Sequence, residues 1–157
     1  MGNLIWHDWA HFLGLTSATY ALWAGFWGLF FRKFFWDMIG GTLGPQGIIP
    51  GPNSAFFEVI IVQIPLVQIL TMVLSVVLLM LELPPVQAIK DSFAYRNFMF
   101  KASLYFILAF HTILFYQGIN AAIYSLVTII AYVRASVRGE LMPEQKANKG
   151  RSRGGEA

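Results

Sequence analysis

ASLYFILAFHTILFYQGINAAIYSLVTIIAYV, residues 102–133, runs for 32 residues without Asp, Glu, Lys or Arg, and the way it divides decides the fold. Taken as one straight helix from Phe98 to Arg138, it would approach ~60 Å at about 1.5 Å per residue, twice the hydrocarbon thickness of a bilayer. Modest tilt does not absorb such an excess. A break is required, and Gln117-Gly118-Ile119-Asn120 supplies it near the middle. Lys101 lies 17 residues before Gly118 and Arg134 lies 16 after it. A hairpin folded at Gly118 therefore brings both charges to one membrane face, where their long stems can snorkel to water.

Two more charge-free stretches, Trp9–Phe31 and Val59–Leu81, are 23 residues each. Each can cross a bilayer, which needs roughly 20 helical residues. The expected fold is all-α: an integral membrane four-helix bundle in one domain, 1–138, with spans at about 11–31, 56–83, 98–117 and 119–138. Residues 139–157 are expected to form a disordered basic tail. Between the first two spans, eight of the fourteen residues from Gly40 to Asn53 are Gly or Pro, too many for a regular helix. Pro84-Pro85 ends the second span, and Pro65 should kink it, freeing a carbonyl for Gln63 or Gln68. The third and fourth spans make a tight hairpin.

Composition agrees. Hydrophobic residues are 57% of the chain and charged residues 12%, about half the roughly 25% of a soluble domain. With no cysteine, disulfides, thiolate metal sites and cysteine nucleophiles are excluded. The amino terminus has no basic region or small-residue cleavage pattern, so the first span is expected to be retained. Four spans put both termini on the side of Lys90, Arg96 and Lys101, giving nine basic residues against Arg32 and Lys33 opposite. That excess marks the cytoplasmic side. Three spans would give eight against three, and the symmetry of the Gly118 hairpin favours four.

Several polar or small residues within the spans are candidates for function. Ser17, Ala21, Ala24, Gly25 and Gly28 form a narrow face on the first span, suited to a partner, a second copy or packing inside the bundle. Gln68, Thr71 and Ser75 make a stripe on the second span, and Ser125, Thr128 and Tyr132 make another on the fourth. These stripes could line a path, or bond between helices at ~0.6 kcal/mol each. His111 is expected mid-span, bonded to Ser125 or a backbone carbonyl. A proton relay there would need an intramembrane carboxylate, and none is expected at that depth. Glu58 reads as an interfacial carboxylate in the first turn of the second span.

No reaction can be read from these residues. His7, Asp8 and His11 resemble a metal set, since i and i+4 histidines share a helix face, but the zinc pattern requires Glu where Asp8 stands and a further ligand. No catalytic, cofactor or metal site is therefore assigned. Ser152, flanked by Arg151 and Arg153, is a weak phosphorylation candidate. Paired carboxylates, a nucleophile with its base, and a phosphate loop are lacking, so an enzyme is not expected. The expected partners are the lipid bilayer and a membrane protein or second copy, with no nucleic acid. The preferred reading is a non-enzymatic interaction or scaffold subunit, and the alternative is a small oligomeric transporter or channel component.

Three segments carry a resemblance. WAGFWGLFFRKFFWD at 23–37, followed by Gly40-Gly41-Thr42-Leu43, TILFYQGINAA at 112–122, and the start MGNLI with His7-Asp8-Trp9-Ala10 are similar to an uncharacterised family of small fungal membrane proteins, a domain of unknown function. The resemblance implies a fungal multi-span protein and transfers no catalytic residue. It directs attention to the segment Arg32 to Leu43 and to the Gln117 turn.

Overall fold

A computed structural model describes residues 4–141; Ser152 and most of the expected tail lie outside that range. The described residues are mostly helical, at 74%, and the fold is all-α in class. Helix α1 runs Trp6–Phe30. After it come a 3-10 turn at Phe35–Met38 and a two-stranded hairpin, β1 Thr42–Gly44 paired antiparallel with β2 Gly47–Ile49. The turn of this hairpin uses Gly47 at φ +122, a backbone geometry open to glycine at no steric cost.

The next helix is broken. Helix α2, Ala55–Glu58, continues as a π-helical turn at Val59–Gln63, and the axis then bends by 61° before α3, Leu66–Glu82. Pro65 has no N–H to continue the ladder. Ile64 N bonds back to Val59 O at 2.8 Å, and the carbonyl of Ile61 is satisfied by Gln68 Nε2 at 2.9 Å. Short helices α4, Gln87–Lys90, and α5, Phe93–Arg96, follow Pro84-Pro85. Helix α6, Phe98–Thr112, begins where the Asn97 side chain accepts from the N–H groups of Met99 and Phe100. Helix α7 is Ile119–Val137.

The reversal between α6 and α7 starts earlier than Gly118. Helix α6 stops at Thr112, and Phe115 is extended because it forms an antiparallel bridge with Phe34. Phe35 N donates to Leu114 O at 3.1 Å and Tyr116 N to Lys33 O at 3.2 Å. A 3-10 turn at Tyr116–Gly118 then leads into α7, so Gly118 sits at its entry rather than at the apex. Segments 23–37 and 112–122, separate in sequence, thus meet at one end of the molecule. Gln117 Nε2 donates to Phe31 O at 2.8 Å, and Trp36 Nε1 to Ile113 O at 3.1 Å.

The four long helices close a ring in which α1 touches α7 and α3, and α6 touches the same two. Its interior mixes small and polar side chains with a few large apolar ones, among them Ile61, Leu78, Leu108 and Phe115. The buried residues of α1 are His7, Ala10, Gly14, Ser17, Ala18, Ala21, Ala24, Gly25 and Gly28. Outward-facing positions hold Trp9, Phe12, Trp23 and Phe30 on α1, Val73 and Met80 on α3, Phe106 and Phe110 on α6, and Ile123 and Ile130 on α7. The helices of a water-soluble bundle instead place charged and polar side chains on the outer face.

Among the described residues one helix, Tyr116–Val137, is long and apolar enough to cross a membrane, and the bent pair Pro52–Gln63 with Leu66–Glu82 makes a second if counted as one span. Helix α6 is apolar but short. Helix α1 has the length, but its small, hydroxyl-bearing and indole side chains lower its hydropathy.

Candidate functional site

All four long helices contribute to one buried carboxylate. Glu82 is the last residue of α3, held just before Pro84-Pro85, and its side chain is fully buried. Its Oε1 accepts from Tyr132 Oη of α7 at 2.5 Å and from Tyr105 Oη of α6 at 3.1 Å. Its Oε2 accepts from Lys101 Nζ of α6 at 3.0 Å and lies 3.0 Å from His11 Nδ1 of α1. Lys101 and Tyr105 stand one turn apart, which is why both reach the same carboxylate. Lys101 Nζ also lies over the rings of Tyr95 and Tyr132, 4.8 and 5.4 Å from their centroids. Those ring faces attract the part of the ammonium that the carboxylate leaves uncovered.

Helix α1 comes this close because residue 14 is glycine. A β-carbon there would lie 2.5 Å from Tyr105 Oη and 2.9 Å from Glu82 Oε1. The rings of Tyr105 and Tyr132 stack at 6.0 Å, and Phe98 covers Tyr132 at 5.9 Å. The group can hold an ion pair out of water and can pass a proton between His11 and Glu82.

The expected snorkelling of Lys101 to water is overturned. Lys101 does not extend to water: it is 1% exposed and ion-paired inside the bundle, because Glu82 and two tyrosine faces form a receptacle for it. Glu82, 2% exposed, is an interior carboxylate that the sequence reading did not single out, and it pairs with Lys101 rather than with His111. In the sequence Glu82 only marks where a charge-free stretch ends. The available signal was the Lys101/Tyr105 pair one turn apart, with Tyr132 at a matching distance from the other side of the Gly118 turn.

A second cluster joins the ends of the described chain. Helix α1 has no side-chain cap of its own. Instead Glu140, expected in the disordered tail, accepts from Trp6 N at 3.1 Å and His7 N at 2.9 Å, and its Oε2 lies 2.9 Å from His7 Nδ1. Burial pushes the Glu140 carboxyl up, but the backbone N–H of His7, the His7 ring and the N–H of Trp6 outweigh it and hold the group below its ordinary value of 4.5. Arg134 and Arg138 lie over the Trp6 ring at 5.5 and 5.7 Å. Glu140→Gln is expected to cost about 1 kcal/mol, the usual worth of a helix cap. Because the folded carboxyl is depressed, its contribution is present above pH 4.5 and fades as pH falls through the lower folded value. Unfolding curves of both proteins should therefore converge in acid.

Ser17, Ala21, Ala24, Gly25 and Gly28 are all buried within the chain. Ser17 Oγ meets Ser125 Oγ at 2.6 Å, and β-carbons on Gly25 and Gly28 would press on Met72 Cγ and Gln68 Cγ at 2.7 and 2.9 Å. Gln68, Thr71, Ser75, Ser125 and Thr128 are each 0% exposed. Thr71, Ser75 and Thr128 bond to carbonyls of their own helices, four residues back. His111 does not meet Ser125: its Nδ1 lies 2.8 Å from Ile107 O and its ring is half-buried. His7 Nε2 lies 3.2 Å from Asp8 Oδ1, but His11 turns to a different carboxylate, so the three do not converge, and no group of three potential metal ligands occurs among the described residues. Glu58 is half-buried in α2.

Comparison with curated proteins and with solved structures gives no match. The model of a family described as a domain of unknown function, DUF7727, matches residues 1–140, a range that holds every member of the Glu82 and Glu140 clusters. The chain belongs to the DUF7727 family.

Proposed function

We propose that the protein is a multi-pass integral membrane protein that acts as an interaction or scaffold subunit. The observation that carries this reading is the apolar exterior, where Trp, Phe, Ile and Val side chains of all four long helices face outward around an interior rich in alanine, glycine and hydroxyl side chains. In lipid the hydrophobic effect gives helices no reason to associate, so close backbone approach and polar contacts must hold them. An apolar exterior of this extent needs hydrocarbon or protein against it. Four spans follow: α1, the bent α2–α3 segment, α6, and α7 with its entry turn. Both termini then share the side rich in basic residues, which makes it cytoplasmic. The family resemblance supports a fungal source.

The small-residue face of α1 is occupied inside the bundle, so a partner must use the other face. That face carries Trp9, Phe12 and Trp23, with a hollow of about 610 Å³ where Trp9, Phe12 and Thr16 stand together. The partner is a membrane protein or a second copy. The chain should stay with membranes in alkaline carbonate and, after mild-detergent purification and crosslinking, carry a stoichiometric neighbour. A monomer without any neighbour, before and after crosslinking, would count against the subunit reading.

The alternative, a small oligomeric transporter, draws support from a different observation. An ionisable pair inside a span commonly marks an ion or proton pathway, and Glu82–Lys101 is such a pair. That reading no longer depends on Gln68, Thr71, Ser75, Ser125 and Thr128, which face no open space. Liposomes holding the protein should then show a flux that Glu82→Gln abolishes; no flux with any ion tested leaves the subunit reading preferred.

A further inference from the structure

His11 is the member of the Glu82 group that reaches both the carboxylate and the surface. Its side chain is 35% exposed, against 0% for Glu82 and 1% for Lys101. Its Nδ1 lies 3.0 Å from Glu82 Oε2, and among the described residues no protein group bonds its Nε2. The other groups facing the carboxylate are Lys101 and Tyr105 from α6 and Tyr132 from α7, with Tyr95 of α5 facing Lys101. Lys101, Tyr105 and Tyr132 are buried and donate into the carboxylate, so none of them links it to water.

We propose that Glu82 is a proton-binding site loaded through His11 from the aqueous phase at the end of the bundle where α1 begins. A neutral imidazole with its proton on Nδ1 donates to Glu82 Oε2 and presents the Nε2 lone pair outward. Water or hydronium delivers a proton to Nε2, and the ring becomes an imidazolium. The Nδ1–H bond breaks and an Oε2–H bond forms, which leaves a neutral carboxylic acid beside the other tautomer of a neutral imidazole. One proton has left the solvent and one has reached the carboxyl, with no other reactant. Imidazole suits this step because it exchanges protons near neutral pH. Loading removes the counter-charge of Lys101, whose ammonium then rests on the ring faces of Tyr95 and Tyr132. The grip between α3 and α6 weakens as a result. A monomer would load as readily as an assembly, so the inference stands apart from the subunit reading.

Infrared difference spectra of the full chain in nanodiscs, recorded as pH is lowered, test it. A carboxylic-acid C=O band is expected that shifts on labelling with ¹³C-glutamate and is lost in Glu82→Gln. If that variant does not fold, Glu82→Asp keeps the charge and must move the band. In His11→Gln, whose amide still donates to Oε2 but cannot relay a proton, the band should reach the same size after a pH jump but about a hundredfold more slowly. His7→Gln should leave the rate unchanged. The proposal is overturned if no Glu82 band appears while the chain stays folded, or if His11→Gln loads as fast as the parent.

Discussion

Replacing Glu82 with alanine is expected to destabilise the protein by about 3–5 kcal/mol, because it strands the Lys101 ammonium in an interior that holds no other counter-charge within reach. The two tyrosine hydroxyls on Oε1 lose their acceptor at the same time. Lys101→Met alone should also destabilise, by removing the ammonium that balances the buried carboxylate, although the Tyr105 and Tyr132 hydroxyls and His11 still face it. The double variant Glu82→Leu with Lys101→Met should recover most of the loss, since replacing a whole buried pair with apolar side chains is often nearly neutral. Chemical unfolding in a single detergent, read as a double-mutant cycle, measures the coupling. Additive losses would mean that Glu82 and Lys101 do not act as a pair.

Gly118→Ala should be the second large effect, at about 1–3 kcal/mol. A β-carbon at this position would run into the carbonyl oxygen of Thr112 and stand 2.9 Å from Phe115 Cζ. Neither neighbour yields easily, because one is backbone and the other is a fully buried ring pinned by the Phe34 bridge. The loss should appear as a lower unfolding midpoint and as faster proteolysis around 113–118. An unchanged midpoint would show that the turn relaxes more freely than its packing implies.

What could be read in the sequence was whatever depends on neighbours along the chain. Charge-free stretches and breakers indicated helices, and Pro65 marked the bend with Gln68 satisfying the freed carbonyl. The small face of α1 and the hydroxyl stripes appear where helical periodicity puts them, all turned inward. What could not be read depends on partners far apart in sequence. Helix α6 ends at Thr112 because Phe115 pairs with Phe34, a contact that no local propensity encodes. Glu82 and Lys101 each lie next to polar or proline-rich segments, so each resembles a residue at a water boundary. Only the packed arrangement of four helices turns both inward. His11 was paired in sequence with His7, yet the two rings diverge to carboxylates on different elements.

The contact between Glu140 and the first turn of α1 bears on how the molecule is made. The capping pair is separated by 134 positions. At about 5–20 residues per second, the ribosome needs on the order of ten seconds to produce the cap after the turn has emerged. Helix α1 is therefore synthesised before the other described helices, yet its backbone is completed only after them. Until then its opening N–H groups must be satisfied by water or by another molecule, and a nascent chain halted before Glu140 would hold that end of the helix frayed.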